Sequence, residues 1–167
     1  MTQTTIPLSA RHRRKNVQFT PFQQSSRSKL SKAKKIKNIL LIDDSESTLL
    51  KHQEIVKTVL PSTKVFSFKS ADQAISHLAK PDEPRPEMIF LDIVMPEKDG
   101  FQFMDEYLNR FTTHTHQNSP LVLLVSEYLS LPNFELSQGY KMLGLNIDHI
   151  KKPLLSSDLK DLIEEHY

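Results

Sequence analysis

Four short β-type runs in this chain each end in a side chain able to bind a metal or a phosphate. Ile39-Leu40-Leu41-Ile42 runs into the acid pair Asp43-Asp44, and Phe90-Leu91 delivers Asp92, followed by Ile93-Val94-Met95-Pro96 and Gly100. Leu121–Val125 delivers Ser126, and Asn146-Ile147-Asp148-His149-Ile150 runs into Lys151-Lys152-Pro153. Carboxylates gathered a few ångströms apart either raise one another's pKa or recruit a cation. Hard oxygen donors without Cys or His favour Mg²⁺, which keeps several waters and shares its other positions with carboxylate and phosphate oxygens. A lysine and a hydroxyl beside that cation would neutralise and hydrogen-bond a phosphoryl group. Each element has an ordinary reading by itself. Asp44 or Ser45 could cap a helix, a serine after a strand is commonly a cap, and a lone Lys-Pro is commonly exposed. The ordered set is what argues for one site.

These residues need a scaffold that brings distant strand ends together. Strands are expected at Asn38–Asp43, Lys64–Lys69, Glu87–Asp92, Leu121–Val125 and Asn146–Ile150. Between them lie amphipathic stretches. Leu49, His52, Val56, Val59 and Leu60 recur at helical spacing until Pro61, and Ser70-Ala71-Asp72-Gln73 reads as a capping box ahead of Ala71, Ala74, Ile75 and Leu78. A third helix is expected to place Phe101, Met104, Leu108 and Phe111 on one face. A fourth takes Pro132 in its first turn and Gly144 beyond its end, although Gly139 inside it costs roughly 1 kcal/mol relative to Ala. A fifth opens at Ser156 and carries Leu159, Leu162 and Ile163. Pro81, Pro84 and Pro86 mark a loop, as does the polar stretch Thr112–Ser119. Five βα units imply an α/β, doubly wound parallel sheet, and such sheets bind ligands beyond the carboxyl ends of their strands.

Over about residues 37–167 the chain resembles the receiver domain of two-component response regulators, in particular the single-domain chemotaxis-regulator type. The resemblance rests on Asp43-Asp44, Asp92 with Met95-Pro96 and Gly100, Ser126, and Lys152-Pro153. It implies a flavodoxin-like three-layer fold with strand order 2-1-3-4-5. It also implies that Asp92 accepts a phosphoryl group, paired first with Lys152, and that the Ser126 hydroxyl moves to the phosphoryl group. Mg²⁺ would be held by Asp44, Asp92 and the Val94 carbonyl, with Asp43 acting through water. By resemblance the Lys152–Pro153 peptide is expected to be cis. His149 stands where receivers usually carry a Tyr or Phe that swings inward on activation. The implied partners are a sensor histidine kinase or phosphotransfer protein and a downstream target protein. Catalysis would be limited to the chain's own phosphorylation and dephosphorylation. A receiver-like adaptor that binds partners without phosphorylation is the alternative. The 26 residues from Ser126 to Lys152 exceed the spacing of compact receivers.

Composition bounds the rest. The 167 residues are 38% apolar and 25% charged, near globular averages. Without cysteine, neither disulfides nor thiolate metal sites can form. No apolar run reaches membrane-spanning length, so a cytoplasmic location is expected. The formal charge of +2 hides a division. Residues 1–37 hold ten Lys/Arg and no acid; the remainder holds the other 12 of the 22 against all 20 acids, a net of 12 − 20 = −8. A basic, disordered extension over residues 1–36 is expected ahead of a domain at 37–167, with weak contact to polyanions. Nothing follows the last helix, so no DNA-binding output domain is expected and output would pass through a partner. A haloacid-dehalogenase-type phosphatase would need an acid where Val94 stands. A flavodoxin-type cofactor binder would need a phosphate loop where Asp43-Asp44-Ser45-Glu46 repels phosphate. Gly139-x4-Gly144 lacks the Lys-Ser/Thr of a P-loop.

Overall fold

Alternation decides the architecture. The computed structural model describes residues 36–111, 119–127 and 130–167. The expectations for the basic extension up to residue 35 and for the loop at 112–118 lie outside the described residues. Strands β1 (Asn38–Ile42), β2 (Lys64–Phe68), β3 (Met88–Asp92), β4 (Leu121–Ser126) and β5 (Asn146–Lys151) form one parallel sheet in the order β2-β1-β3-β4-β5. Helices α1 (Glu46–Val59), α2 (Ala71–Leu78), α3 (Gly100–Phe111), α4 (Leu131–Met142) and α5 (Ser156–His166) connect and follow them.

Successive strand residues point to opposite faces. Leu40, Ile42, Ile89, Leu91, Val122 and Leu124 pack with Ala74, Leu78, Phe103 and Met104 of α2 and α3. Ile39, Leu41, Phe90, Leu121, Leu123 and Val125 pack with Leu49 and Val56 of α1 and Leu159 and Leu162 of α5. Both faces are therefore covered, which is why β3 and β4 are buried along their whole lengths. The five-stranded, five-helix, doubly wound fold and its strand order are as expected.

Local chemistry sets the helix ends. The Ser45 hydroxyl caps α1 by accepting from the Thr48 amide at 3.3 Å, and Ser70 caps α2 through Gln73. Gln73 Oε1 in return accepts from the Lys69 amide at 3.2 Å, so that box reaches one residue further back than the sequence suggests. A second box was not anticipated: the Gln102 amide donates to Asp99 Oδ1 at 2.8 Å, and the Asp99 amide donates to Gln102 Oε1 at 2.9 Å. Gly144 follows α4 at φ 94°, as its place beyond the helix end requires. Helix α4 runs through Gly139, where an added Cβ would meet nothing within 4 Å.

Phe101, Met104, Leu108 and Phe111 share the core face of α3 as expected, and that face is wider than these four. Phe101, Phe103, Met104 and Tyr107 are buried, while Leu108 and Phe111 are only partly so. The helix starts at Gly100, pressed against the end of β3, and Phe103 and Tyr107 join its buried face. Their rings stack at 6.0 Å.

Candidate functional site

Strand order reverses between β1 and β3, and two acids stand there. Ile42 pairs with Leu91, so Asp43 and Asp92 are the next positions on adjacent strands. Both are buried, at 2% and 7% exposure. Asp44 turns outward and is exposed. Carboxylate oxygens of Asp43, Asp44 and Asp92 lie within 4.8 Å of one another.

Lys152 follows β5 and closes the far side. Its ammonium donates to Asp43 Oδ2 at 2.8 Å and to Asp92 Oδ2 at 2.7 Å. Burial alone would push this lysine down; hydrogen bonds and charge from Asp43 and Asp92 outweigh it and leave the pKa raised. Asp43 Oδ1 accepts from the Ser45 amide at 2.9 Å, and Asp92 Oδ1 from the Val94 amide at 3.3 Å. Ser126 ends β4 and is buried, and its carbonyl accepts from the Lys152 amide at 2.8 Å. The Lys152–Pro153 peptide is cis, as expected.

Two ordinary readings weaken on this geometry. Helix α1 is capped by Ser45 and α4 by Ser130, so neither Asp44 nor Ser126 is needed as a cap. The three acids supply oxygen donors only, with one at the exposed rim. That donor set fits a hard divalent cation that retains water. Val94, 73% exposed, lies at the same rim.

Three further residues, each already singled out by its position in the sequence, take defined places. An added Cβ on Gly100 would stand 2.5 Å from the Asp92 carbonyl oxygen, so only glycine fits against the strand end that carries the acid. His52, counted in the sequence among the core positions of α1, is buried with its ring edge-on to Phe90 at 6.0 Å. Burial lowers its pKa, Lys152 lowers it further, and Asp43 and Asp92 oppose this. A histidine in an apolar helical stripe was the available signal. His149 is half-buried beside the Phe134 ring at 5.8 Å; its Nε2 is buried and unpartnered among the described residues.

Residues 39–164 match the sequence profile of the response regulator receiver domain. The chain belongs to that family. Among curated proteins, hybrid signal transduction histidine kinase D of Dictyostelium discoideum is 26% identical over 134 residues. That match takes in 77% of this chain but spans only 8% of the kinase's length. A two-component response regulator from Cytophaga hutchinsonii superposes with a TM-score of 0.62 at 25% identity, covering 78% of this receiver and 96% of that chain. A chemotaxis-regulator-like receiver from Methanospirillum hungatei gives 0.61 at 22%, covering 78% and 92%. Chemotaxis protein CheY4 of Vibrio cholerae gives 0.60 at 19%, covering 79% and 99%. The receiver therefore shares its fold with proteins of low sequence identity. No helix among its described residues is long and apolar enough to cross a membrane.

Proposed function

We propose that this receiver accepts a phosphoryl group on Asp92 from a phosphohistidine of a sensor kinase or phosphotransfer protein. The observation that carries the reading is the ammonium of Lys152 held between Asp43 and Asp92 beneath a third carboxylate. In the transfer, an Asp92 carboxylate oxygen forms a bond to phosphorus as the P–N bond to the donor imidazole breaks. The donor leaves with the bonding pair. Lys152 shifts from pairing with the acid to pairing with phosphoryl oxygens, so the ammonium stays compensated throughout. The Val94 amide steadies the carboxylate, and the Ser126 hydroxyl turns towards a phosphoryl oxygen. Mg²⁺, held by Asp44, Asp92 and the Val94 carbonyl, with Asp43 acting through water, would neutralise charge on the transferred group when bound.

The receiver acts on no other substrate. It is a cytoplasmic receiver that signals through contacts with a target protein, and its basic extension makes weak contact with polyanions. Incubation with radiolabelled acetyl phosphate and Mg²⁺ should add one acid-labile phosphoryl group, and Asp92→Asn should abolish it. Label that survives this substitution, or that sits on a serine, refutes the reading.

A further inference from the structure

The loop between β3 and α3 carries a feature that the proposed transfer does not use. Glu97 has φ 65°, a region that residues with a side chain rarely enter. The Lys98 amide donates to the Pro96 carbonyl at 2.7 Å, closing a γ-turn around Glu97. Turns of that hand are strained and persist only where surrounding contacts over-determine them. The far end of the loop is pinned, because the Gly100 amide donates to the Ile93 carbonyl at 3.0 Å. Asp99 caps α3 through Gln102, and next to Glu97 itself it is Lys98 that reaches both neighbouring helices. Its ammonium pairs with Asp72 of α2 and Glu106 of α3, while Glu106 also takes Arg110 at 3.1 Å. Lys98 therefore ties the loop to two helices at once. The same loop begins with the Val94 amide on Asp92, whose carboxylate lies within 4.8 Å of that of Asp44.

We propose that Lys98 is a positioning residue for the Asp92 site: pinned between α2 and α3, it keeps Glu97 in its positive-φ turn and so fixes the loop bearing Val94. The inference rests on Asp92 being the acceptor, and it concerns a side chain that never touches the reacting atoms. If the strut acts through the turn, relieving the turn makes the strut unnecessary. Glycine enters positive φ without steric cost. Glu97→Gly should therefore rescue a chain that lacks Lys98.

The test compares wild type, Lys98→Met, Glu97→Gly and the double variant as whole chains. Three readouts are taken: amide hydrogen exchange at Lys98 and Gly100, Mg²⁺ affinity by titration, and the rate of labelling by acetyl phosphate. Lys98→Met should speed exchange at both amides about three- to tenfold, the scale of losing two partly exposed ion pairs. Mg²⁺ affinity and labelling rate should fall by a similar factor, roughly the lower end of effects from residues that orient metal ligands. In the double variant all three should return to within about twofold of wild type, as expected if the turn's steric cost is what Lys98 offsets. Unchanged exchange in Lys98→Met overturns the proposal. So does faster exchange with unchanged Mg²⁺ affinity and labelling, or a double variant no better than the single. A wild type that takes no label refutes the acceptor reading instead, and the exchange arms still decide whether Lys98 holds the turn.

Discussion

Two lysines in this receiver each sit between two carboxylates, and they do different work. Lys152 bridges Asp43 and Asp92 at the strand ends, with side chains 17%, 3% and 9% exposed. Lys98 bridges Asp72 and Glu106 between two helices, at 25%, 63% and 23%. In water an ion pair gains little, because solvent screens the charges and holding two long side chains costs entropy. Inside, the same arrangement leaves each partner dependent on the others, since removing one strands a desolvated charge. Burial thus separates a strut from a site. The buried triad also has the third acid at its edge, giving a cation somewhere to enter.

The contrast is broken most sharply by deleting each lysine in turn. Lys152→Ala should cost about 3 kcal/mol in metal-free buffer, because Asp43 and Asp92 then face each other uncompensated. Urea midpoints with and without Mg²⁺ test this, and added Mg²⁺ should recover part of the loss. The second effect is the cation's own. At roughly ten times its Kd, Mg²⁺ should stabilise wild type by about 1.4 kcal/mol through binding the native state alone. Thermal melts of an Asp44→Ala/Asp92→Ala double variant should show no such rise. Third, Lys98→Met should cost no more than about 1 kcal/mol in the same urea assay, the ceiling for exposed pairs. A loss equal to that of Lys152→Ala would erase the distinction.

The smallest effect comes from His149. Burial lowers its pKa and Lys141 adds to this, while Asp148 opposes it. The unfolded chain, with an ordinary pKa near 6.5, then takes up protons more readily than the folded one. Stability contributed by the neutral ring is complete above that value and is lost as pH falls towards the folded pKa. Urea midpoints should decline from about pH 7 to about pH 5.5, more steeply in wild type than in His149→Phe. His52 shifts in the same direction, so His149→Phe should flatten the profile without abolishing it.

Much of this was legible before any coordinates. Strand ends are marked by the switch from apolar runs to Asp43, Asp92, Ser126 and Lys152, and parallel sheets gather such ends by construction. The face of α3 was harder to read. Leu108 and Phe111 follow the helical period, and Phe103 and Tyr107 widen the same buried stripe beyond it. Lys98 was not legible at all. Its partners lie 26 residues before it and 8 after it, on separate helices. No local pattern encodes a contact whose geometry depends on how α2 and α3 pack. The extent of the basic extension is a matter of composition, and composition alone speaks to it.

Gly100 shows how a residue without chemistry can look catalytic in a mutational survey. Its missing side chain is the space occupied by the backbone of Asp92. Alanine there would not remove a ligand or a charge; it would displace the peptide that aims Asp92. A saturation screen scored on signalling should therefore place position 100 among the least tolerant of the chain, beside Asp92 and Lys152. Scored on Mg²⁺-free folding, the two kinds of intolerance should part. Asp92→Asn leaves Lys152 paired with Asp43 and should fold with a modest loss, whereas Gly100→Ala should fail in both screens.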